Sequence, residues 1–114
     1  MLENNKIILK KIISEIDIGM NFLDNVNLED FLKTEKLNYA TAMVFVNISE
    51  FTRRLDHDFK KNNLQIDWRE MSDFGEKIIQ NYYLIAMDDI YFTVKRDFPE
   101  LKAQIEKILE AEEE

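Results

Sequence analysis

EKLNYATAMVFVNISEFTRRLDHDFKK, residues 35–61, contains neither glycine nor proline and carries its apolar residues at helical spacing. Ala40, Val44, Ile48, Phe51, Leu55 and Phe59 follow one another at intervals of three or four, which lines them along one helix face. Tyr39, Met43, Phe45 and Val46 widen that stripe in its first half. A helix apolar on so many sides belongs at the centre of a molecule or in a contact between copies. The stretch therefore predicts one long helix over 35–61. Lys60 and Lys61 supply cations at its negative end, and Asn62 and Asn63 supply turn residues.

The chain on either side reads the same way. Toward the C-terminus, Asp67-Trp68-Arg69-Glu70 has the form of a capping box, in which Asp67 accepts from early amides and Glu70 folds back. Met71, Phe74, Ile78, Tyr82 and Ile85 continue the apolar face. Asp88 or Asp89 restarts a segment after a bend. Pro99 suits the first turn of a last helix carried by Leu101, Ile105 and Ile108. The acidic tail, 110–114, is expected to fray into solvent. Toward the N-terminus, Leu9, Ile12, Ile13, Ile16, Met20 and Leu23 predict a helix over 6–23, weakened near its end by Gly19. Asn25 and Asn27 break it, and Asn27 caps a short helix running through Lys33. These elements make an all-α chain, an antiparallel bundle of four to five helices in one domain spanning 1–114.

Composition agrees. Of 114 residues, 46% are apolar and 33% charged, with two glycines and one proline. Few breakers favour long helices over a turn-rich β fold. The absence of cysteine excludes disulfides, a thiolate nucleophile and zinc-thiolate sites, and fits a reducing, cytoplasmic setting. No apolar run approaches a membrane span, and the N-terminus lacks a signal-peptide pattern. The net charge is −8, and four of the acids, Glu110, Glu112, Glu113 and Glu114, fall in the last five positions. No basic field invites RNA or DNA.

Candidate chemistry is sparse. The single histidine, His57, lies in Arg53-Arg54-Leu55-Asp56-His57-Asp58-Phe59. Its flanking carboxylates favour the protonated form, but a solvated helix face is the simpler reading. Arg53 and Arg54 are at reachable spacing from Glu50 and Asp58, so pairing along the helix precedes any phosphate role. Asp88 and Asp89 read as a helix cap. Trp68 reads as core, and Tyr82 and Tyr83 as packed aromatics with hydroxyls at the rim. No metal or cofactor site is expected.

The order of these segments resembles the HepT-like branch of the HEPN superfamily. Ile8-Leu9-Lys10 through Asn21-Phe22-Leu23, with Leu28-Glu29-Asp30-Phe31-Leu32, is similar to that family's first helix and short second one. Val46-Asn47-Ile48-Ser49-Glu50-Phe51 resembles part of its long helix, and Trp68-Arg69-Glu70-Met71 its tryptophan-led helix start. Thr93-Val94-Lys95-Arg96-Asp97-Phe98-Pro99-Glu100-Leu101-Lys102 resembles its closing segment. The resemblance implies a HEPN-like bundle that forms homodimers. It further implies a metal-independent ribonuclease toxin, neutralised by a minimal nucleotidyltransferase that attaches AMP to a motif tyrosine.

The family motif is Arg, four residues, His, one residue, Tyr. Counting from Trp68 places it at Gly75-Glu76-Lys77-Ile78-Ile79-Gln80-Asn81-Tyr82, where only Tyr82 is retained. Gly75 stands at the arginine position and Gln80 at the histidine position. Glutamine does not titrate, glycine cannot hold a phosphate, and Glu76 adds negative charge beside it. Arg53…His57-x-Phe59 has the wrong spacing and lies on another helix. The resemblance thus implies a degenerate site: a partner-binding protein without ribonuclease chemistry, with Tyr82 as the candidate for modification. The competing expectation is an active ribonuclease neutralised through AMPylation, or one using His57 and Arg53. A homodimer would bury the face around Tyr39, Met43 and Val46. On this reading, Gly75→Arg with Gln80→His is the natural attempt to restore activity.

Overall fold

The computed structural model describes residues 2–113, and among them all regular structure is helical. Helix α1 spans Glu3–Phe22, α2 Leu28–Lys33, α3 Glu35–Arg54, α4 His57–Lys61 and α5 Trp68–Asn81. A 3₁₀ turn, Tyr82–Leu84, leads to α6, Met87–Phe92. A π-helical turn, Thr93–Asp97, joins α6 to α7, Phe98–Glu113.

Cross-helix contacts set the directions. The start of α1 meets the end of α3, where Asn5 Oδ1 accepts from the Asp56 amide at 3.1 Å, and Asn47 Nδ2 donates to Glu15 Oε1 at 3.0 Å further along. Ser49 of α3 donates to the Ser72 carbonyl of α5, and Tyr39 stacks on Tyr82. Lys102 of α7 pairs with Asp17 of α1 at 2.8 Å. Each neighbouring pair is antiparallel, giving the up-down-up-down bundle expected from short connections. Ile8, Leu9, Ile12 and Ile16 of α1, Val44, Phe45 and Ile48 of α3, Ile78 of α5, and Phe98, Ile105 and Ile108 of α7 form one buried cluster. Each fully buried aliphatic side chain contributes about 1.5–3 kcal/mol of transfer free energy.

Several expectations are corrected. The helix expected over 35–61 is two helices. Leu55 and Asp56 are extended, with ψ of 141° and 137°. Leu55 and Phe59 are both buried across the break, and Asn5 takes the freed Asp56 amide. The first helix begins at Glu3. Gly19 is a packing device: a Cβ there would stand 2.9 Å from the buried Phe98 ring, so the glycine lets α1 and α7 approach. Pro99 lies in the first turn of α7 as expected, but no loop precedes it. The helix runs on from α6 through the π turn, whose wider ring accommodates a residue without an N–H donor. The tail continues α7 through Glu113, since Ile105, Ile108 and Leu109 hold its last turns to the core; Glu114 lies outside the described residues.

Other readings hold. Asn27 caps α2 by accepting from Asp30 N at 2.8 Å, and Asp67 caps α5 by accepting from Glu70 N at 3.0 Å. Trp68 is core, with Nε1 donating to Asn63 O at 2.9 Å. The reading of Asp88 and Asp89 as a helix cap is corrected: Ala86 is the N-cap of α6, without a side-chain cap bond, and the two aspartates lie in the first turn, where their charge suits the helix N-terminus. No described helix is long and apolar enough to cross a membrane.

Candidate functional site

Helix α5 and the turn after it carry all three positions singled out in the sequence. A helix advances about 100° per residue, so positions five apart point some 140° from each other. Gly75 and Gln80 accordingly face different ways.

Gly75 is buried against α3. A Cβ built there would overlap Ser49 Cβ and would lie 2.8 Å from both Phe45 O and Ser49 Oγ. One of those atoms is backbone, so the obstruction does not clear by a rotamer change. Ser49 itself is fully buried, donates to the Ser72 carbonyl and accepts from Arg53 Nη2 at 3.0 Å. The position that counting from Trp68 sets at the family arginine is thus a close approach of α3 and α5. For Gly75→Arg with Gln80→His, the attempt to restore activity, an arginine at 75 must first part α3 from α5.

Gln80 is exposed, and its Nε2 lies 3.4 Å from Glu76 Oε1 one turn earlier. Asn81 then leaves helical geometry, with φ −158° and ψ 62°, and this bend redirects Tyr82. Tyr82 is half-buried and stacks on Tyr39 of α3, with ring centroids 4.6 Å apart and planes within 12°. Tyr83 meets Tyr82 edge-on at 5.6 Å and is 87% exposed. Burial, then the nearby Glu35 carboxylate, raises the Tyr82 phenol above its usual value. Tyr39 is pushed up to about 12, first by its hydrogen bond with Tyr83. These hydroxyls stay protonated near neutral pH, and Gln80 carries no titratable group.

Around the tyrosines lies an apolar surface made by Tyr39, Met43, Ile79, Tyr83 and Leu84, each about half exposed or more. Tyr39 and Met43 were legible as part of an over-wide helix stripe; Val46, named with them, is only partly exposed. The stacking of Tyr39 on Tyr82 was not legible, because the two lie 43 positions apart and meet only when α3 and α5 pair.

His57 opens α4 and is exposed, on a separate short helix rather than near the end of a long one. Arg53 and Arg54 lie 3.8 and 3.5 Å from Glu50, as spacing along the helix suggested. Among the described residues, no group of three or more His, Asp or Glu side chains is placed to hold a metal ion.

The family model described as "Ribonuclease HepT-like" matches residues 10–108. The chain is 32% identical over 108 residues to "Probable ribonuclease HepT" of Thermococcus cleftensis, covering 95% of this chain and 98% of that protein. It is 27% identical over 109 residues to a "Putative RNase" of Methanocaldococcus jannaschii, covering 96% and 94%. A "Putative RNase" of Caldanaerobacter subterraneus is 26% identical over 104 residues, with coverage of 91% and 93%. No solved structure gives a significant match.

Proposed function

Because the chain belongs to the ribonuclease HepT-like family, we propose that it is a HepT-like protein that has lost ribonuclease chemistry and acts as a binding partner. Its partner is a minimal nucleotidyltransferase, in a toxin–antitoxin-type pair. The observation that carries this reading is the wedging of Gly75 against Ser49 and the Phe45 carbonyl. RNA cleavage by attack of the 2′-hydroxyl needs proton transfer and stabilisation of charge on the phosphate. The first has no titrating group at Gln80. The second has no cation at Gly75 and no space for one.

The exposed apolar residues Tyr39, Met43, Tyr83 and Leu84 support self-association as a homodimer, since exposed apolar area marks interaction sites. Retention of Tyr82 favours a second reading, an active ribonuclease neutralised by AMPylation of that residue. Tyr82 is only half-buried, with one ring face covered by Tyr39.

The test is direct. The purified chain, incubated with RNA, is expected to cleave no faster than Tyr82→Phe or a buffer blank. Cleavage by the natural chain that is lost in His57→Ala would overturn the reading and move the active centre to α4. Co-expression with the nucleotidyltransferase is expected to yield a stable complex. A mass increase of one AMP that disappears in Tyr82→Phe would establish modification.

A further inference from the structure

Helices α5 and α7 do not close on each other as the other neighbours do. Helix α5 packs on α3, α3 on α1 and α1 on α7, and a groove of about 290 Å³ runs between α5 and α7. Phe45 and Ile48 of α3, Met71 and Phe74 of α5, and Phe98 and Leu101 of α7 give it an apolar floor. Every charged residue lining it is acidic: Asp67 and Glu70 on the α5 side, Asp97 and Glu100 on the α7 side. All four are exposed, and none forms an ion pair among the described residues.

We propose that this groove docks a basic, apolar-faced segment of another protein. Charge decides the occupant. A nucleic acid would bring phosphates to four carboxylates. A second copy docking groove to groove would bring its own four rim carboxylates to these. A segment with leucine-like anchors at helical spacing and lysine or arginine beside them satisfies both parts. Its anchors cover the floor, as in helix-in-groove recognition. Its cations meet carboxylates on both rims, where charge-assisted hydrogen bonds are strong. The groove lies toward the Asp67 end of α5, away from Tyr82, and docking there is independent of the nucleotidyltransferase reading.

The experiment uses the full chain with methionine methyl groups isotopically labelled. The probe is a fluorescein-labelled amphipathic peptide with leucines on one face and lysines and arginines on the other. A second peptide replaces leucine by serine, and a third replaces the basic residues by glutamate. Only the parent peptide is expected to bind well. The Met71 methyl resonance should shift on binding, and that of Met43, on the tyrosine surface, should stay. Glu70→Lys with Glu100→Lys should weaken binding by about tenfold or more, and Asp24→Lys with Glu110→Lys, the same charge change elsewhere, by under about threefold. If the reversed pair does not fold, by circular dichroism, Glu70→Gln with Glu100→Gln replaces it with the same expected direction. Equal binding of the serine peptide, equal weakening by the two charge pairs, or a shift at Met43 instead of Met71 would each overturn the proposal. So would absence of parent binding up to about 1 mM. Loss of a dimer in sedimentation of the Glu70 and Glu100 variant would assign the groove to self-association instead.

Discussion

Gly75 and Ser49 meet at a close approach of α3 and α5, and the pair shows how one side chain limits what its neighbour can be. In an open helix, Gly→Ala gains about 0.8–1 kcal/mol of helix propensity. Here the added methyl would overlap Ser49 and press on the Phe45 carbonyl. Overpacking of this kind costs about 1–3 kcal/mol. Gly75→Ala is therefore expected to lower stability by about that amount despite the better helix former, read as a reduced urea midpoint with unchanged slope. An unchanged or raised midpoint would mean that α3 and α5 part easily, and an arginine at 75 would again be admissible. Gln80 is the contrasting case: it is exposed, so Gln80→His is expected to fold normally and still to lack ribonuclease activity, since one titrating group does not supply the missing cation.

Among the elements, the break between α3 and α4 depends on a residue from a distant helix. Leu55 and Asp56 leave helical geometry, and the Asp56 amide is taken by the buried Asn5 side chain. Asn5 is only 2% exposed. Asn5→Ala removes the acceptor of the Asp56 amide and empties a buried position, and the unpaired donor costs about 1–3 kcal/mol where the Asn5 side of it stays dry. Chemical denaturation should show a loss in that range. A loss under about 0.5 kcal/mol would mean that water reaches the amide freely. The turn after α1 is held in a similar way. Asn25 takes a left-handed φ of 58°, Lys95 Nζ donates to Leu23 O at 2.6 Å, and Tyr91 donates to Val26 O at 2.8 Å. The π turn and α6 thereby anchor the α1 end, and a cation there also suits the negative pole of α1.

At the scale of the whole molecule, two surfaces remain for other chains: the tyrosine-centred apolar face and the acidic-rimmed groove. The first is expected to pair copies. Met43→Glu with Leu84→Glu places charges on residues that are 53% and 77% exposed, so the monomer fold should survive. Sedimentation at tens of micromolar, roughly the range in which a weak interface shows, should report a dimer for the natural chain and a monomer for the variant. A monomer in both would end the homodimer reading.

Helical class, the caps at Asn27 and Asp67, the core role of Trp68 and the family likeness were all legible in the linear sequence. Each rests on local spacing or on residue order, which the chain carries without reference to its fold. Tertiary structure decided the rest. It cut the 35–61 helix at Leu55, where the Asp56 amide pairs with Asn5 of a distant helix instead of with its own helix. It made Gly19, an apparent weak point, and Gly75, an apparent lost motif position, into contact points, because a missing Cβ has value only when another helix stands opposite. It stacked Tyr39 on Tyr82 and gathered Asp67, Glu70, Asp97 and Glu100 around one groove. Those residues are far apart in sequence, and no local periodicity encodes which helix faces which; that follows from how the apolar faces of the helices are buried together.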